Sequence, residues 1–155
     1  MSRRLTRTGI ASTALAILCT ASAAAQGREG TEYFAIRGSS GLPFAEAVRV
    51  GNMLYLSGQL GTDSTLKLVP GGIKPETRQA LENIRAVLER HGSSLDRVVK
   101  CTAMLADMRE WPAMNAVYAT YFTKHFPARS AFGTNGLALG ARMELECMAT
   151  VDAPR

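Results

Sequence analysis

Residues 142–151 read RMELECMATV, and their side chains alternate strictly between two faces. Alternation with a period of two is typical of a β-strand that buries one face. The apolar face would hold Met143, Leu145, Cys147, Ala149 and Val151. The other face would hold Arg142, Glu144 and Glu146. The pattern predicts a strand that packs on one side and presents carboxylates on the other.

A second stretch, FPARSA at residues 126–131, contains Arg129 directly behind an amphipathic segment that ends at Pro127. Since proline ends a helix, Arg129 is expected where the chain turns from helix into strand. Its guanidinium is a planar fork of donors that suits a carboxylate. The residues alone leave a second interpretation, a structural arginine paired with Glu144 or Glu146 across strands. Our hypothesis is that Arg129 holds a substrate carboxylate while Glu144, from a neighbouring strand, handles a water molecule.

Residues 1–25 differ in composition from the rest of the chain. Arg3, Arg4 and Arg7 make a basic start, and the apolar run that follows ends in small residues at Ala25. This is the pattern of a cleaved secretory signal peptide. A membrane anchor fits less well, because a span needs about 20 strongly apolar residues. We therefore predict a periplasmic or secreted protein that does not bind the membrane after cleavage.

Charge and histidine placement argue against two classes of partner. The formal charge of +5 falls to about +2 once the three leader arginines are removed. No basic stripe remains, so a nucleic-acid partner is not expected. His91 and His125 stand in no metal-ligand pattern, so no metal is expected either. His91 is interpreted as a helix-end cap or core residue, and His125 as a helix-end residue.

Cys101 and Cys147 both fall in predicted strands. In an oxidising compartment such a pair can form a disulfide, yet buried free thiols are as common a use of cysteine. Spacing alone does not decide between them. We favour buried thiols at this point.

The predicted elements form one domain over residues 42–155, preceded by a flexible segment at 26–41 with a short edge strand. They are a Gly51-Asn52 hairpin, a helix from Pro75 to Gly92, a strand at 98–105, a helix from Pro112 to Pro127 with Trp111 on its buried side, and strands at 128–135 and 142–151. This order favours an α+β fold, a mixed sheet with two helices on one face. Strand 98–105 is apolar on most positions, so we expect both its faces to be covered, one of them by another subunit.

Six short motifs together resemble the RidA (YjgF) family of 2-iminobutanoate/2-iminopropanoate deaminases. They are PFAEAV (43–48), LSGQ (56–59), TRQALENI (77–84), Asn115-x-x-Tyr118, FPARS (126–130) and MELE (143–146). The resemblance implies a chorismate-mutase-like fold and a homotrimer with sites between subunits. It also implies hydrolysis of 2-imino acids to 2-oxo acids and ammonia without a cofactor.

The resemblance also assigns site residues. It implies that Arg129 binds the substrate carboxylate, that Glu144 positions the water, and that Ser57 and Gly58 belong to a substrate-binding turn. Glu146 is left as a structural or interface charge. The chain departs from the family pattern at two further expected substrate contacts. Phe44 replaces a tyrosine, and Ala131 replaces a cysteine.

Three functions remain open at this point. The first is an exported imine deaminase with a small 2-imino acid or related carboxylate as substrate. The second is a trimeric protein that binds small carboxylates without turnover. The third, a ribonuclease, ranks last because the sequence lacks a histidine pair and a basic groove.

Overall fold

A computed structural model describes residues 30–36 and 41–152, which form one mixed β-sheet with two α-helices on one face. The strands are β1 (Thr31–Phe34), β2 (Ala47–Val50), β3 (Met53–Leu56), β4 (Gln59–Leu60), β5 (Val98–Leu105), β6 (Ala128–Gly133) and β7 (Met143–Thr150), and the helices are α1 (Ile73–Arg90) and α2 (Trp111–Tyr118). The predicted α+β class is confirmed. The predicted leader at 1–25 lies outside the described residues, as does much of the segment at 26–41.

The sheet runs in the order β1-β2-β3-β7-β5-β6, and the short β4 also pairs with β7. Only β5 and β6 are parallel, as expected for two strands joined through a helix. Strands β2 and β3 form the predicted hairpin, in which Gly51 takes a positive φ of 57°. Strand β1 is the predicted edge strand within the segment at 26–41. Strand β4 was not predicted.

Helix α1 packs against β4 and β7 through the apolar face that its periodicity predicts. Leu81, Ile84 and Leu88 are fully buried there. The helix ends at Arg90. Gly92, two residues later, has a positive φ of 76°, which is typical of a glycine that follows a helix. His91 caps this end, as the sequence predicts.

Helix α2 is shorter than predicted, because it ends at Tyr118 and not at Pro127. The backbone amides of Thr120 and Tyr121 bond to carbonyls three residues earlier, which closes tight turns in place of helical ones. The prediction that Trp111 lies on the buried side is also wrong, since 40% of it is exposed at the start of the helix.

The two central strands, β5 and β7, bury every second residue against the helices. The alternation predicted for residues 143–150 is confirmed, with Met143 and Leu145 inaccessible and Glu144 and Glu146 half-buried on the opposite face. That opposite face is open in the described chain. Within one chain the second face of β5 carries Lys100, Thr102 and Met104, all half-exposed, so its expected cover by another subunit stays a prediction.

Cys101 of β5 lies directly opposite Cys147 of β7, and the two are joined in a disulfide. Both side chains point into the core and are 1% exposed. The preference for buried free thiols is therefore wrong. Alternation along a strand predicts neither register nor strand order, and it is the register that brings these two cysteines face to face.

Candidate active site

Glu144 and Gly58 lie against each other on the open face of the sheet. A Cβ atom added to Gly58 would lie 1.8 Å from Oε1 of Glu144. The carboxylate therefore occupies the space above the turn between β3 and β4, which only glycine leaves open. This turn is the predicted Ser-Gly-Gln motif, so the structure brings Glu144 and Gly58 together.

Ser57 ties this turn to the loop before β2. Its hydroxyl donates to the carbonyl of Ala45 at 2.6 Å, and its amide donates to the carbonyl of Glu46 at 3.0 Å. Ser57 is thus engaged as a turn residue. Phe44 precedes the acceptor Ala45 and is 53% exposed, so this hydrogen bond holds the start of the Phe44 loop beside the Glu144 turn.

The electrostatic surroundings make Glu144 a stronger base than an ordinary glutamate. Burial, and then the negative charge of Glu146, raise the pKa of Glu144 above its usual 4.5. A raised pKa favours proton acceptance from water near neutral pH. Glu146 sits two residues along the same face, next to Thr102 of β5, and acts on Glu144 through its charge.

Arg129 belongs to a second cluster, on the helix-covered side of β6. Its guanidinium lies over the ring of Tyr118, 4.4 Å from the ring centroid, and its Nη2 donates to Oδ1 of Asn115 at 2.6 Å. Asn115 and Tyr118 stand three apart on α2 and so present to the same side. Among the described residues, the Nε and Nη1 atoms of Arg129 have no side-chain acceptor, which leaves N–H donors of the guanidinium for a carboxylate.

The ring beneath Arg129 is deeply buried. Tyr118 is 4% exposed, and its hydroxyl has no hydrogen-bond partner among the described residues. Burial raises the pKa of Tyr118 to about 12, despite the positive charge of Arg129, so the hydroxyl stays protonated. The ring thus acts as a neutral platform for the guanidinium.

An open pocket of about 350 Å³ adjoins Arg129. Its lining residues are Asn115, Tyr118, Ala119, Phe126, Pro127 and Arg129. The predicted substrate contact Ala131 is not among them. It shares the inward face of β6 with Arg129 and packs, half-buried, against the core.

Arg129 and Glu144 do not meet within one chain. Arg129 pairs in register with Cys101, whose side chain points toward the helices, whereas Glu144 pairs with Met104, which faces the open side. Strand β5 lies between β6 and β7, so the two residues are two strand spacings and three positions apart, roughly 14 Å between backbones. Strands β6 and β7 are therefore not neighbours as expected, and the convergence of Arg129 and Glu144 at a site shared between subunits stays a prediction. A single chain carries two candidate half-sites on opposite faces of the sheet: Glu144 with Gly58 and Ser57, and Arg129 with Asn115 and Tyr118.

Sequence reasoning gave Asn115 no role beyond a motif match and interpreted Tyr118 as core. Their spacing of three on a predicted helix, ahead of Arg129 in the chain, is the sequence signal that could have indicated a shared site with that arginine. The sequence pattern also assigned no role to Glu46, a buried carboxylate that is hydrogen-bonded to Arg90 and, at 3.0 Å, to Nε2 of His91.

The described residues contain no group of three or more histidine, cysteine or acidic side chains placed to hold a metal ion. Over the same residues, neither helix has the length and apolar character that a membrane crossing requires.

Comparison with known proteins places the chain. The family model described as Endoribonuclease L-PSP matches residues 38–151. The chain belongs to this family, the RidA (YjgF) family. A 2-iminobutanoate/2-iminopropanoate deaminase of Mus musculus is 43% identical over 108 residues, which cover 69% of this chain and 80% of that protein.

Solved RidA-family structures share the fold. RidA from the Antarctic bacterium Psychrobacter sp. PAMC 21119 superposes with a TM-score of 0.69 at 35% identity, over 73% of this chain and 92% of that one. E. coli TdcF, solved with bound serine, gives a TM-score of 0.68 at 26% identity, over 74% and 92% of the two chains. The mixed sheet with two helices is therefore a RidA-type fold.

Proposed function

We propose that this protein hydrolyses 2-imino acids to 2-oxo acids and ammonia, at sites assembled between subunits. The observation that carries the proposal is the pair of half-sites: a guanidinium with unengaged N–H donors, and a carboxylate with a raised pKa over a glycine turn. Deaminases of the family that are 43% identical support the reaction class. A relative solved with serine supports a small carboxylate as ligand.

The chemistry assigns one task to each half-site. Arg129 binds the substrate carboxylate with the N–H donors that remain once one N–H of Nη2 donates to Asn115. Glu144 accepts a proton from water as the water oxygen bonds to the C=N carbon, and the imine nitrogen takes up a proton. The resulting carbinolamine then loses ammonia as its C–N bond breaks, and the C=O bond of the 2-oxo acid forms.

The two half-sites act on one molecule only if they come from two copies of the chain. We include in the proposal that the open face of the sheet packs against further copies in a trimer. Besides its polar residues, this face carries half-exposed Met104 and Met148 together with 40%-exposed Tyr55, apolar side chains that suit a subunit interface. In a closed ring of three, each seam joins an edge of one chain to the face of the next.

Subunit complementation tests this arrangement. Arg129→Ala and Glu144→Gln proteins are each expected to lose activity toward 2-iminopropanoate generated in solution. Unfolded and refolded together in equal amounts, they should recover about one quarter of wild-type activity, because a quarter of the seams then carry both native residues. A control mixture of each variant with itself should stay inactive. Absence of recovery from mixed trimers, shown by mass, would refute the shared site.

A binding protein without turnover is the second candidate. It is favoured by Phe44 and Ala131, which stand where the resemblance implies tyrosine and cysteine. The assay separates the two functions: if wild type removes imine no faster than buffer while pyruvate still binds, the protein is a carboxylate-binding member of the family.

We also propose that the mature protein is exported and acts in the periplasm or outside the cell. The basic and apolar residues at 1–25 support this, as does the Cys101–Cys147 disulfide, a bond typical of oxidising compartments. Cell fractionation with N-terminal sequencing of the mature chain tests it. Recovery of the full-length protein from the cytoplasm alone would exclude export.

A further inference from the structure

We infer that the pocket beside Arg129 receives the side chain of the substrate, and that the preferred substrates are 2-imino acids with bulky apolar side chains, branched aliphatic or aromatic. This inference rests on the proposed function, since it names the substrate class of the same site. It concerns the part of the pocket wall formed by Ala119, Phe126 and Pro127, to which the reaction steps above assign no role.

The first support is the chemistry of the lining. Arg129 is its only charged residue, and the Oδ1 of Asn115 is already engaged by that arginine. The remaining wall consists of the Tyr118 ring, Ala119, Phe126 and Pro127. A cationic anchor beside a carbon-rich wall matches a molecule with a carboxylate at one end and an apolar group at the other.

The second support is size. At about 350 Å³ the pocket is near the lower end of the range for small-molecule sites, roughly 300–1,000 Å³. A methyl substituent would leave most of this space to water, whereas a benzyl or isobutyl group would displace that water from apolar walls. Each methylene so buried strengthens binding about fourfold.

The third support is Phe126, the most exposed phenylalanine of the described chain at 66%. Its neighbour Pro127 is buried, so the backbone beneath the ring is fixed while the ring itself stands in solvent at the pocket wall. Among the described residues the ring stacks on no other aromatic side chain. A ligand side chain would bury this ring and gain a ring–ring or ring–alkyl contact.

A polar substituent on the substrate would gain much less binding free energy from this pocket. Its hydroxyl or carboxylate would leave water for a wall in which Oδ1 of Asn115 already accepts from Arg129 and the Tyr118 hydroxyl is buried, and an unpaired polar group carries a desolvation cost. The pocket therefore discriminates by side-chain polarity as well as by size.

The experiment measures binding of stable 2-oxo acids, which are the reaction products, so that its outcome does not depend on turnover. Pyruvate, 4-methyl-2-oxopentanoate and phenylpyruvate are titrated calorimetrically into wild type, Phe126→Ala, Arg129→Ala and Tyr33→Ala. Tyr33 is the matched control, because it is 74% exposed on β1 at the opposite edge of the sheet.

Wild type is expected to bind phenylpyruvate about tenfold more tightly than pyruvate. Phe126→Ala should reduce that ratio at least about threefold with little change in pyruvate affinity, and Tyr33→Ala should leave it unchanged. Arg129→Ala should weaken all three ligands. Equal affinities of wild type for phenylpyruvate and pyruvate would overturn the inference. It would also be overturned if Phe126→Ala leaves the ratio of these affinities unchanged, whether or not that variant changes the mass of the oligomer. Failure of the deaminase proposal is recognised separately, by preferential binding without imine loss.

Discussion

The Oε1 atom of Glu144 occupies the space above Gly58 in which any other residue would place its Cβ. The position of the candidate base on β7 is thus set by the absence of a side chain in the turn between β3 and β4. A carboxylate fixed by packing against backbone is preorganised for one direction of proton transfer.

Gly58→Ala is expected to reduce kcat/KM by about tenfold or more while shifting Tm little. The backbone of Gly58 does not have a positive φ, so alanine fits its conformation, and the added methyl displaces the carboxylate end of the Glu144 side chain. Small displacements of a catalytic group carry large rate costs. Steady-state kinetics and thermal unfolding measure both quantities. Gly30→Ala is the control, because a Cβ there meets nothing within 4 Å; equal activity of the two variants would contradict the packing argument.

Two substitutions of Tyr118 separate the role of its ring from the role of its hydroxyl. Tyr118→Phe keeps the ring beneath Arg129 and removes a buried hydroxyl that has no partner among the described residues, so it should raise the free energy of unfolding by about 1 kcal/mol. Carboxylate affinity should be retained. Tyr118→Leu removes the ring and should weaken carboxylate binding several-fold. If Tyr118→Phe is destabilised instead, the hydroxyl is bonded in the native protein.

The sequence predicted the elements that depend on local pattern. Strand β7 follows from strict alternation, the β2–β3 hairpin from Gly51-Asn52, and α1 from apolar spacing. The end of α2 at Tyr118 was missed because Pro127 is a clear stop signal, whereas the turns at Thr120 and Tyr121 carry no comparable one.

The alternation of side chains along the sequence does not predict which residues from distant parts of the chain come together. Strand order places β5 between Arg129 and Glu144, and register alone decides that these residues face opposite sides. The same register opposes Cys101 to Cys147. Alternation identifies which residues of a strand share a face, but it does not say which face of a neighbouring strand they join.

The disulfide between the two central strands should contribute substantially to stability. It closes a loop of 46 residues, for which loss of unfolded-state entropy corresponds to at most about 4 kcal/mol. Replacing both cysteines by alanine is therefore expected to lower the free energy of unfolding by about 2–4 kcal/mol in urea titrations. Reduction of the wild type under unfolding conditions, followed by refolding in reductant, should match the double variant. If reductant leaves the free energy of unfolding of the wild type unchanged, and two thiols are detected by mass after alkylation, the disulfide is not formed.

Glu46 should make the protein sensitive to acid. Burial opposes its ionisation, but hydrogen bonds and charge from Arg90 and His91 outweigh burial and lower the pKa of Glu46 below 4.5. Its contribution is therefore complete above pH of about 4.5, the unfolded value, and is lost as pH falls through the lower folded pKa. Glu46→Gln should cost about 1–3 kcal/mol at pH 7, with the difference from wild type shrinking in acid.

Urea unfolding between pH 7 and pH 3 measures this difference. Glu89→Gln, at an exposed position of α1, is the control and should track wild type. A gap between Glu46→Gln and wild type that stays constant with pH would show that the carboxylate charge is not what stabilises this cluster.

The pH dependence of turnover tests the coupling between Glu144 and Glu146. Burial contributes most to the raised pKa of Glu144, and the charge of Glu146 adds to it. Because the base acts in its ionised form, the rate should fall as pH drops through that pKa, with the midpoint above 4.5. Glu146→Gln removes the repulsion and should move this acid limb to lower pH. Glu32→Gln, at an exposed position of β1, should leave the limb in place. A limb that moves upward in Glu146→Gln, or that survives in Glu144→Gln, would assign the titrating group elsewhere.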